Sequence, residues 1–225
     1  MWSLRGVIIM NVNFDSIIHL LHGAASGSLA TQSTQMPGYP FASVSPFVLD
    51  EQHRPVFLIS GLAEHTKNLA ADRRACFLIH GSDGQSVLKA ERASVLGDVQ
   101  RIDASAQLRA RYVRYHPDAE QFLALGDFAF YGLMPKGARY IAGFGQMGWA
   151  GEADWTASVS LPAGDEAILV QELIGVPPAG IRFLGADRYG FDIERAGRRE
   201  RQRFSDGPIS VDDIGSAVRR ILSVI

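Results

Sequence analysis

Apolar side chains recur along this chain with two different spacings. In FDSIIHLLH (residues 14–22) they follow a helical rhythm, with Asp15 or Ser16 as the expected N-cap and Gly23 after the last turn. Short apolar runs with strand-like alternation come next, and they predict strands over residues 27–33, 41–50, 55–60, 75–81 and 89–103. A helix over 63–71 separates the third strand from the fourth, and Pro46 makes the second an edge or bulged strand that pairs with the third as a hairpin.

The second half of the chain continues the mixture and then changes in composition. Residues 104–125 are predicted to be helical with an interruption before Pro117, and strands are predicted over 127–135 and 138–151. Beyond Gly151 the pattern predicts a helix (165–174), two strands (180–187 and 189–197), an arginine-rich segment and a closing helix that Ser210 caps. The fold expected is mostly β with α (α+β): an antiparallel split β-barrel over residues 14–150, followed by a small α/β C-terminal domain over 151–225.

The overall composition is that of an ordinary soluble globular protein and excludes several classes. Apolar residues make up 47% of the 225 residues, and the formal net charge of −2 gives no general attraction to nucleic acid or to anionic membranes. Cys76 is the single cysteine, which rules out an internal disulfide or a cysteine-cluster metal centre. We predict no metal site, no membrane span and, since no cleavage pattern closes the first apolar run, a cytoplasmic protein.

The connection between the third and fourth strands carries more polar chemistry than a turn requires. Ser60 ends a strand, and Thr66 and Lys67 fall in the first turns of the helix that follows. The start of a helix offers free N–H groups and a favourable dipole to an anion, and two hydroxyls with one ammonium would complete a phosphate cradle. A solvated helix that holds no ligand is the alternative, with roughly even odds.

Several motifs in order resemble one family. SLATQS, PFASVSPFVLD, PVFLISGLAEHTKNLAADRRACFLI and ERASVLGDV are similar to the FMN-binding split β-barrels related to pyridoxamine 5′-phosphate oxidase. DFAFYGLMPKGARYIAGFGQMGW resembles the haem-utilisation branch of that family, and the resemblance covers about residues 17–149. It implies an FMN-binding flavoprotein that forms a homodimer with the flavin at the subunit interface.

The resemblance also implies the positions of the cofactor contacts. The flavin ring would lie beside the second strand, and its phosphate would lie at the end of the third strand and the start of the helix. Arg92 would reach the flavin of the neighbouring subunit, and no catalytic residue is nominated. The implied contacts are Ala42, Ser43, Val44, Ser45, Ile59, Ser60, His65, Thr66, Lys67, Asn68 and Arg92.

The C-terminal extension departs from the family pattern. In the haem-utilisation branch a His-Met-Asn…Asp-His signature opens the extension, but this chain has no histidine after His116. An imidazole for haem iron would therefore have to come from the barrel, with His19, His22 and His116 as candidates. The arginine cluster (Arg195, Arg198, Arg199, Arg201 and Arg203) is interpreted as a solvated hairpin partnered by Glu194 and Glu200, and not as a nucleic-acid site.

The sequence favours an FMN-dependent oxidoreductase acting on a small molecule, in which the flavin supplies the hydride chemistry. Two alternatives stay open: a haem-binding or haem-degrading protein, and a non-catalytic flavin-binding sensor. A deazaflavin in place of FMN also fits the same motifs.

If the helix start holds a phosphate, Lys67→Ala will weaken FMN binding. Charge-assisted contacts to phosphate contribute about 1.5–3 kcal/mol each, which corresponds to roughly a tenfold or greater loss of affinity. Titration of FMN fluorescence quenching measures it, and an unchanged dissociation constant would make Lys67 a surface residue only.

Overall fold

The computed structural model describes residues 13–81, 89–142 and 147–225. Residues 82–88 lie outside these ranges, as do residues 143–146 of the predicted strand 138–151 and the first apolar run. Among the helices in the described ranges, none is long and apolar enough to span a membrane.

The larger sheet is antiparallel throughout. Its strands are β1 Ser26–Gln32, β2 Pro40–Pro46, β3 Val48–Leu49, β4 Pro55–Ser60, β5 Arg74–His80, β6 Glu91–Arg101, β7 Phe128–Ala142 and β8 Met147–Gly151. They lie in the order β2-β1-β5-β6-β7-β4-β3, with β8 also paired to β7. β2 packs against β4 without pairing to it, so the sheet curls into a split barrel. The predicted antiparallel split β-barrel is thereby confirmed, in place of a doubly wound parallel sheet.

Two of the predicted strand assignments need correction. The strand expected over 41–50 breaks at Phe47, directly after Pro46, and only its short second piece forms the expected hairpin with β4. The longer piece, β2, pairs with β1 along its whole length and lies at the edge of the sheet. Proline cannot donate to a strand ladder, so an edge and a break are where Pro46 is tolerated.

β7 is one long strand where the sequence suggests a break near Pro135. The register shifts opposite Leu96 and Gly97, which leaves Lys136 as the extra residue of a β-bulge. Gly97 is required there, because a Cβ at this position would lie 2.1 Å from the Met134 carbonyl oxygen. The bulge lets a proline sit inside a paired strand.

The helices agree with the predicted ones apart from one addition and one cap. Asn13, and not Asp15 or Ser16, caps α1, since its Oδ1 accepts from the Asp15 N–H at 3.1 Å. The helices are α1 Phe14–Gly23, α2 Glu64–Ala71, α3 Ala106–Tyr115, α4 Ala119–Ala124, α5 Glu152–Ala157, α6 Ala163–Leu173 and α7 Val211–Leu222. The short α5 is not predicted by the periodicity.

The C-terminal part is built on a second, three-stranded antiparallel sheet. Its strands are β9 Ile181–Ala186, β10 Gly190–Arg195 and β11 Arg198–Arg203, in the order β11-β10-β9. Leu173 of α6, Phe183, Phe191 and Val218 of α7 belong to a hydrophobic cluster distinct from that of the barrel. This is the small α/β extension that the sequence predicts after the barrel.

The interpretation of the arginine cluster as a solvated hairpin is wrong for two of its members. The hairpin exists, but Arg201 is buried, with its Nη1 and Nη2 at 3.1 and 2.8 Å from the Asp192 and Asp187 carboxylates. Arg199 donates to the Ala24 carbonyl at 2.6 Å and lies over the Tyr115 ring. Arg201 faces inward because buried carboxylates need charged partners.

Edge-to-face phenylalanines fill the middle of the barrel. The Phe77 ring lies 4.9 Å from both Phe47 and Phe57, and all three are fully buried. Such pairs add to the free energy of burial itself.

Phe77→Ala should lower the free energy of unfolding by about 3–5 kcal/mol, because it leaves a cavity among rings that cannot close. Urea denaturation measures the change. Leu62→Ala, at a side chain that is 77% exposed, is the control and should have little effect. Equal losses in the two variants would contradict this account of the core.

Candidate cofactor-binding site

One face of the curled sheet is open to solvent in the described structure. Strand alternation sends Leu29, Phe77 and Val95 into the core and their neighbours to the other side. A row of directly paired residues crosses that other side, which we call the outer face. The row consists of Val44, Ser28, Leu78, Ser94, Arg139 and Trp149.

The outer face carries several exposed apolar side chains and a cation. Val44 and Trp149, at the two ends of the row, are 72% and 63% exposed, and Leu78 and Leu96 are exposed as well. The guanidinium carbon of Arg139 lies 5.8 Å from the centre of the Trp149 ring, at cation–π distance. Several large apolar side chains exposed on one face are typical of a ligand or subunit contact.

An imidazole stands at one end of the outer face. His80 follows Leu78 with the same orientation, is exposed, and pairs across the sheet with Arg92. Its Nδ1 lies 3.0 Å from the Gly81 carbonyl oxygen, which can only accept, so Nδ1 carries the proton of the neutral ring. Nε2 is left as the lone-pair donor, which is the state that a metal-binding imidazole needs.

The predicted flavin contacts on β2 divide between the two sides of the sheet. Ala42 and Val44 lie on the outer face and are exposed, whereas Ser43 and Ser45 point the other way. Ser43 Oγ lies 2.9 Å from His65 Nδ1. Ser45 is buried, and its hydroxyl has no hydrogen-bond partner in the part of the chain that is described.

The hydroxyls of the predicted phosphate cradle are engaged within the protein. Ser60 Oγ donates to the Asp127 carboxylate at 2.5 Å, and Thr66 Oγ1 donates to the Ser60 carbonyl at 2.7 Å. Ile59 is buried in the barrel core. Lys67 is exposed, with its Nζ 3.8 Å from Glu64 Oε2. Lys67 is therefore the predicted phosphate contact whose side chain reaches solvent.

Asn68 and His65 complete the same motif in different ways. Asn68 is fully buried; its Oδ1 accepts from Thr34, and its Nδ2 donates to Thr31, which ties α2 to the β1–β2 connection. His65 is half-buried, and its buried Nε2 has no partner among the described residues. Burial lowers the pKa of the His65 imidazole, so this ring is neutral near pH 7.

The three histidines proposed from the sequence as haem ligands have partners inside the protein. His22 is buried against the Asp192 carboxylate, and His116 Nε2 lies 2.9 Å from the Phe47 carbonyl oxygen. Burial, and then the charge of Arg201, lowers the pKa of His19 to about 3. His80 was missed, although alternation along ACFLIH separates Leu78 and His80 from the buried Phe77 and Ile79.

The geometry places the chain in the class of antiparallel split barrels, and a match to a family model identifies the family. The model of the CREG β-barrel family matches residues 18–157, and the chain belongs to this family. The resemblance to split barrels that the sequence motifs carry is thereby confirmed.

Individual relatives extend the match beyond the barrel. The chain is 27% identical over 202 residues to "Non-canonical heme oxygenase HOZ, chloroplastic" from Arabidopsis thaliana, covering 80% of this chain and 62% of that protein's length. A solved heme binding protein from Mycobacterium smegmatis shares the fold with 24% identity and a TM-score of 0.62, over 97% of this chain and all of that one. A structure of unknown function from Agrobacterium tumefaciens superposes with a TM-score of 0.70 at 18% identity, over 98% and 100% of the two chains.

Proposed function

We propose that this protein binds haem on the outer face of its split barrel and takes part in haem breakdown. The observation that carries the proposal is the relation, over 80% of the chain, to a plant protein named a haem oxygenase. It favours the haem alternative over the flavin oxidoreductase that the sequence motifs suggested first. Since the chain spans 62% of that relative's length, the full activity is part of the proposal.

The residues of the outer face fit the chemistry of haem. A porphyrin is flat and apolar and carries two propionates, so it needs exposed apolar area, a nearby cation and an axial donor. Leu78, Leu96 and Trp149 offer the apolar area. Arg139 and Arg92 offer guanidinium groups for carboxylates. His80 presents Nε2 as the axial donor.

Bound haem would supply the iron at which oxygen is activated, and the protein's part is to place and shield it. His80 would hold the iron through Nε2, and its hydrogen bond to the Gly81 carbonyl fixes the ring's tautomer. Arg139, which lies against Trp149, would bind a propionate, and the apolar side chains would exclude water around the bound group. No acid or base is assigned within the reaction.

The second part of the proposal is a homodimer that covers the outer face. Exposed Val44 and Trp149 would then be buried between two copies, with the cofactor at the interface. The division into a barrel (14–150) and an extension (151–225), and the cytoplasmic location, belong to the same proposal. Nucleic acid is not among the proposed partners.

A flavoprotein remains the competing proposal. Exposed Ala42 and Lys67 support it, since a flavin ring needs close approach and its phosphate needs a cation. Against it, Ser60 Oγ is already bonded to an anionic group, the Asp127 carboxylate. Steady turnover with an electron donor and an electron acceptor would indicate that such a flavin serves catalysis, and the absence of turnover would indicate a sensor.

Haem titration of the purified chain should give a Soret band that saturates at one haem per chain. His80→Ala should shift that band and weaken binding at least about tenfold, because the axial bond is lost. His65→Ala is the control and should leave the spectrum unchanged. If His80→Ala binds haem as the unmodified chain does, the axial role of His80 is wrong; if FMN binds more tightly than haem, the flavin proposal replaces this one.

A substitution that introduces a charge on the outer face tests the proposed dimer. Trp149→Glu should convert the dimer to a monomer in light scattering after size exclusion, since a buried unpaired carboxylate is costly at an apolar interface. Leu62→Glu, on an exposed side chain outside that face, should remain dimeric. A dimer that tolerates Trp149→Glu would move the interface elsewhere.

A further inference from the structure

Three potential metal ligands from distant parts of the chain meet away from the outer face. His22 lies near the end of α1, His53 in the turn between β3 and β4, and Asp187 directly after β9. They are 3%, 1% and 4% exposed. We call them the junction cluster, because they join the barrel to the C-terminal sheet.

Each imidazole of the junction cluster has a hydrogen-bond acceptor beside the ring nitrogen that points away from the other imidazole. His22 Nδ1 lies 2.9 Å from Asp192 Oδ2, and His53 Nε2 lies 3.2 Å from the Val159 carbonyl oxygen. Neither acceptor carries a proton to give, so those two nitrogens are the protonated ones in neutral rings. His22 Nε2 and His53 Nδ1 therefore face each other at 3.3 Å as two lone pairs.

The carboxylate is oriented in the same manner. Asp187 Oδ1 accepts from the backbone N–H groups of Tyr189 and Gly190 and from Arg201, at 2.6, 3.1 and 2.8 Å. Its buried Oδ2 lies 3.0 Å from His22 Nε2 but makes no hydrogen bond of acceptable geometry within the described residues. An oxygen without a bond partner at this depth is costly unless a cation sits beside it.

We propose that the junction cluster binds a divalent transition-metal ion, with Zn²⁺ as the best match. The three converging atoms lie within 4.8 Å of one another. Zinc bonds of about 2.0–2.2 Å in a tetrahedron separate neighbouring ligands by about 3.3–3.5 Å. Two imidazoles and a carboxylate are a donor set that zinc accepts, and the outer partners supply the orientation that metal ligands need.

The backbone at His53 supports the same conclusion. His53 has a φ of 57°, in the left-handed region that glycine adopts readily and that is strained for a residue with a side chain. Strain of this kind persists where the surroundings or a function require the residue. Here the strained residue is the one that brings the second imidazole to the cluster.

Charged groups of both signs lie near the site. Asp187 and Asp192 carry two negative charges, and Arg201 is the guanidinium in direct ion-pair contact with both, while Arg111 and Arg199 act from farther away. The competing occupant is a proton on His22, which would sit between the two carboxylates. A metal ion would be bound by His53 as well as by His22, whereas a proton on His22 does not require His53. The experiment therefore changes His53.

The test compares His53→Gly with Ala196→Gly in the full chain after removal of metals with a chelator. Ala196 has a φ of 49°, so both variants relieve left-handed strain, but only the first removes a ligand. Zn²⁺ affinity is measured by competition with a chromophoric chelator, and thermal unfolding is followed with and without Zn²⁺. Co²⁺ serves as a spectroscopic probe of coordination.

We expect the unmodified chain and Ala196→Gly to bind one Zn²⁺ and to melt at a higher temperature with it. His53→Gly should lose more than the 10–100-fold in affinity that removal of an outer partner costs. Its melting temperature should not respond to Zn²⁺, and its haem spectrum should be unchanged, which keeps this test separate from the proposed function.

Failure of the unmodified chain to bind Zn²⁺ or Co²⁺ stoichiometrically at micromolar concentration would overturn the metal site and assign the cluster to a proton. Retention of full Zn²⁺ affinity in His53→Gly would do the same. Should His53→Gly not fold, His53→Asn takes its place, because asparagine also tolerates the left-handed conformation. The metal site departs from the sequence-based expectation that the chain has none.

Discussion

Two buried carboxylates, Asp187 and Asp192, are the constraint on which the arrangement of this protein depends. Carboxylates so far from water must be paired, and their partners come from elsewhere in the chain: Arg201 from β11, His22 from α1, and the Tyr115 hydroxyl from α3 at 2.6 Å from Asp192 Oδ2. Removal of one partner from such a set costs about 3–5 kcal/mol, because the remaining charge stays buried. The C-terminal sheet is therefore fastened to the barrel by charge as well as by apolar contact.

The same arrangement separates two kinds of chemistry in one small protein. The junction cluster is enclosed and lined by oriented donors, which suits a small ion and excludes a porphyrin. The outer face is open and carries exposed apolar side chains beside Arg139, which suits the large flat ligand proposed above. Because α1 closes the core side of the sheet, the alternation that fills the barrel with Phe77 and Ile79 necessarily turns Leu78 and His80 toward the outer face.

Local patterns predicted the elements well and the site only in part. Strand β4, the helix pair around Pro117 and the closing helix follow from periodicity and breakers, because these signals act over a few residues. The resemblance implies flavin contacts along the whole stretch from Ala42 to Ser45, and in the structure this strand presents alternate residues to opposite sides. Ser60 was expected to meet a phosphate, and nothing in its neighbourhood along the chain indicates that Asp127 would take its hydroxyl.

By itself, the sequence determined the split barrel, its antiparallel strands and the family, since hydrophobic alternation and ordered motifs are properties of the chain alone. Only the tertiary structure decided which histidines face solvent and which are buried. His22 and His53 are 31 residues apart, and Asp192 lies 170 residues from His22. The physical reason is that pairing of buried charges depends on distances in space, and folding brings such residues together without leaving a local signal in the sequence.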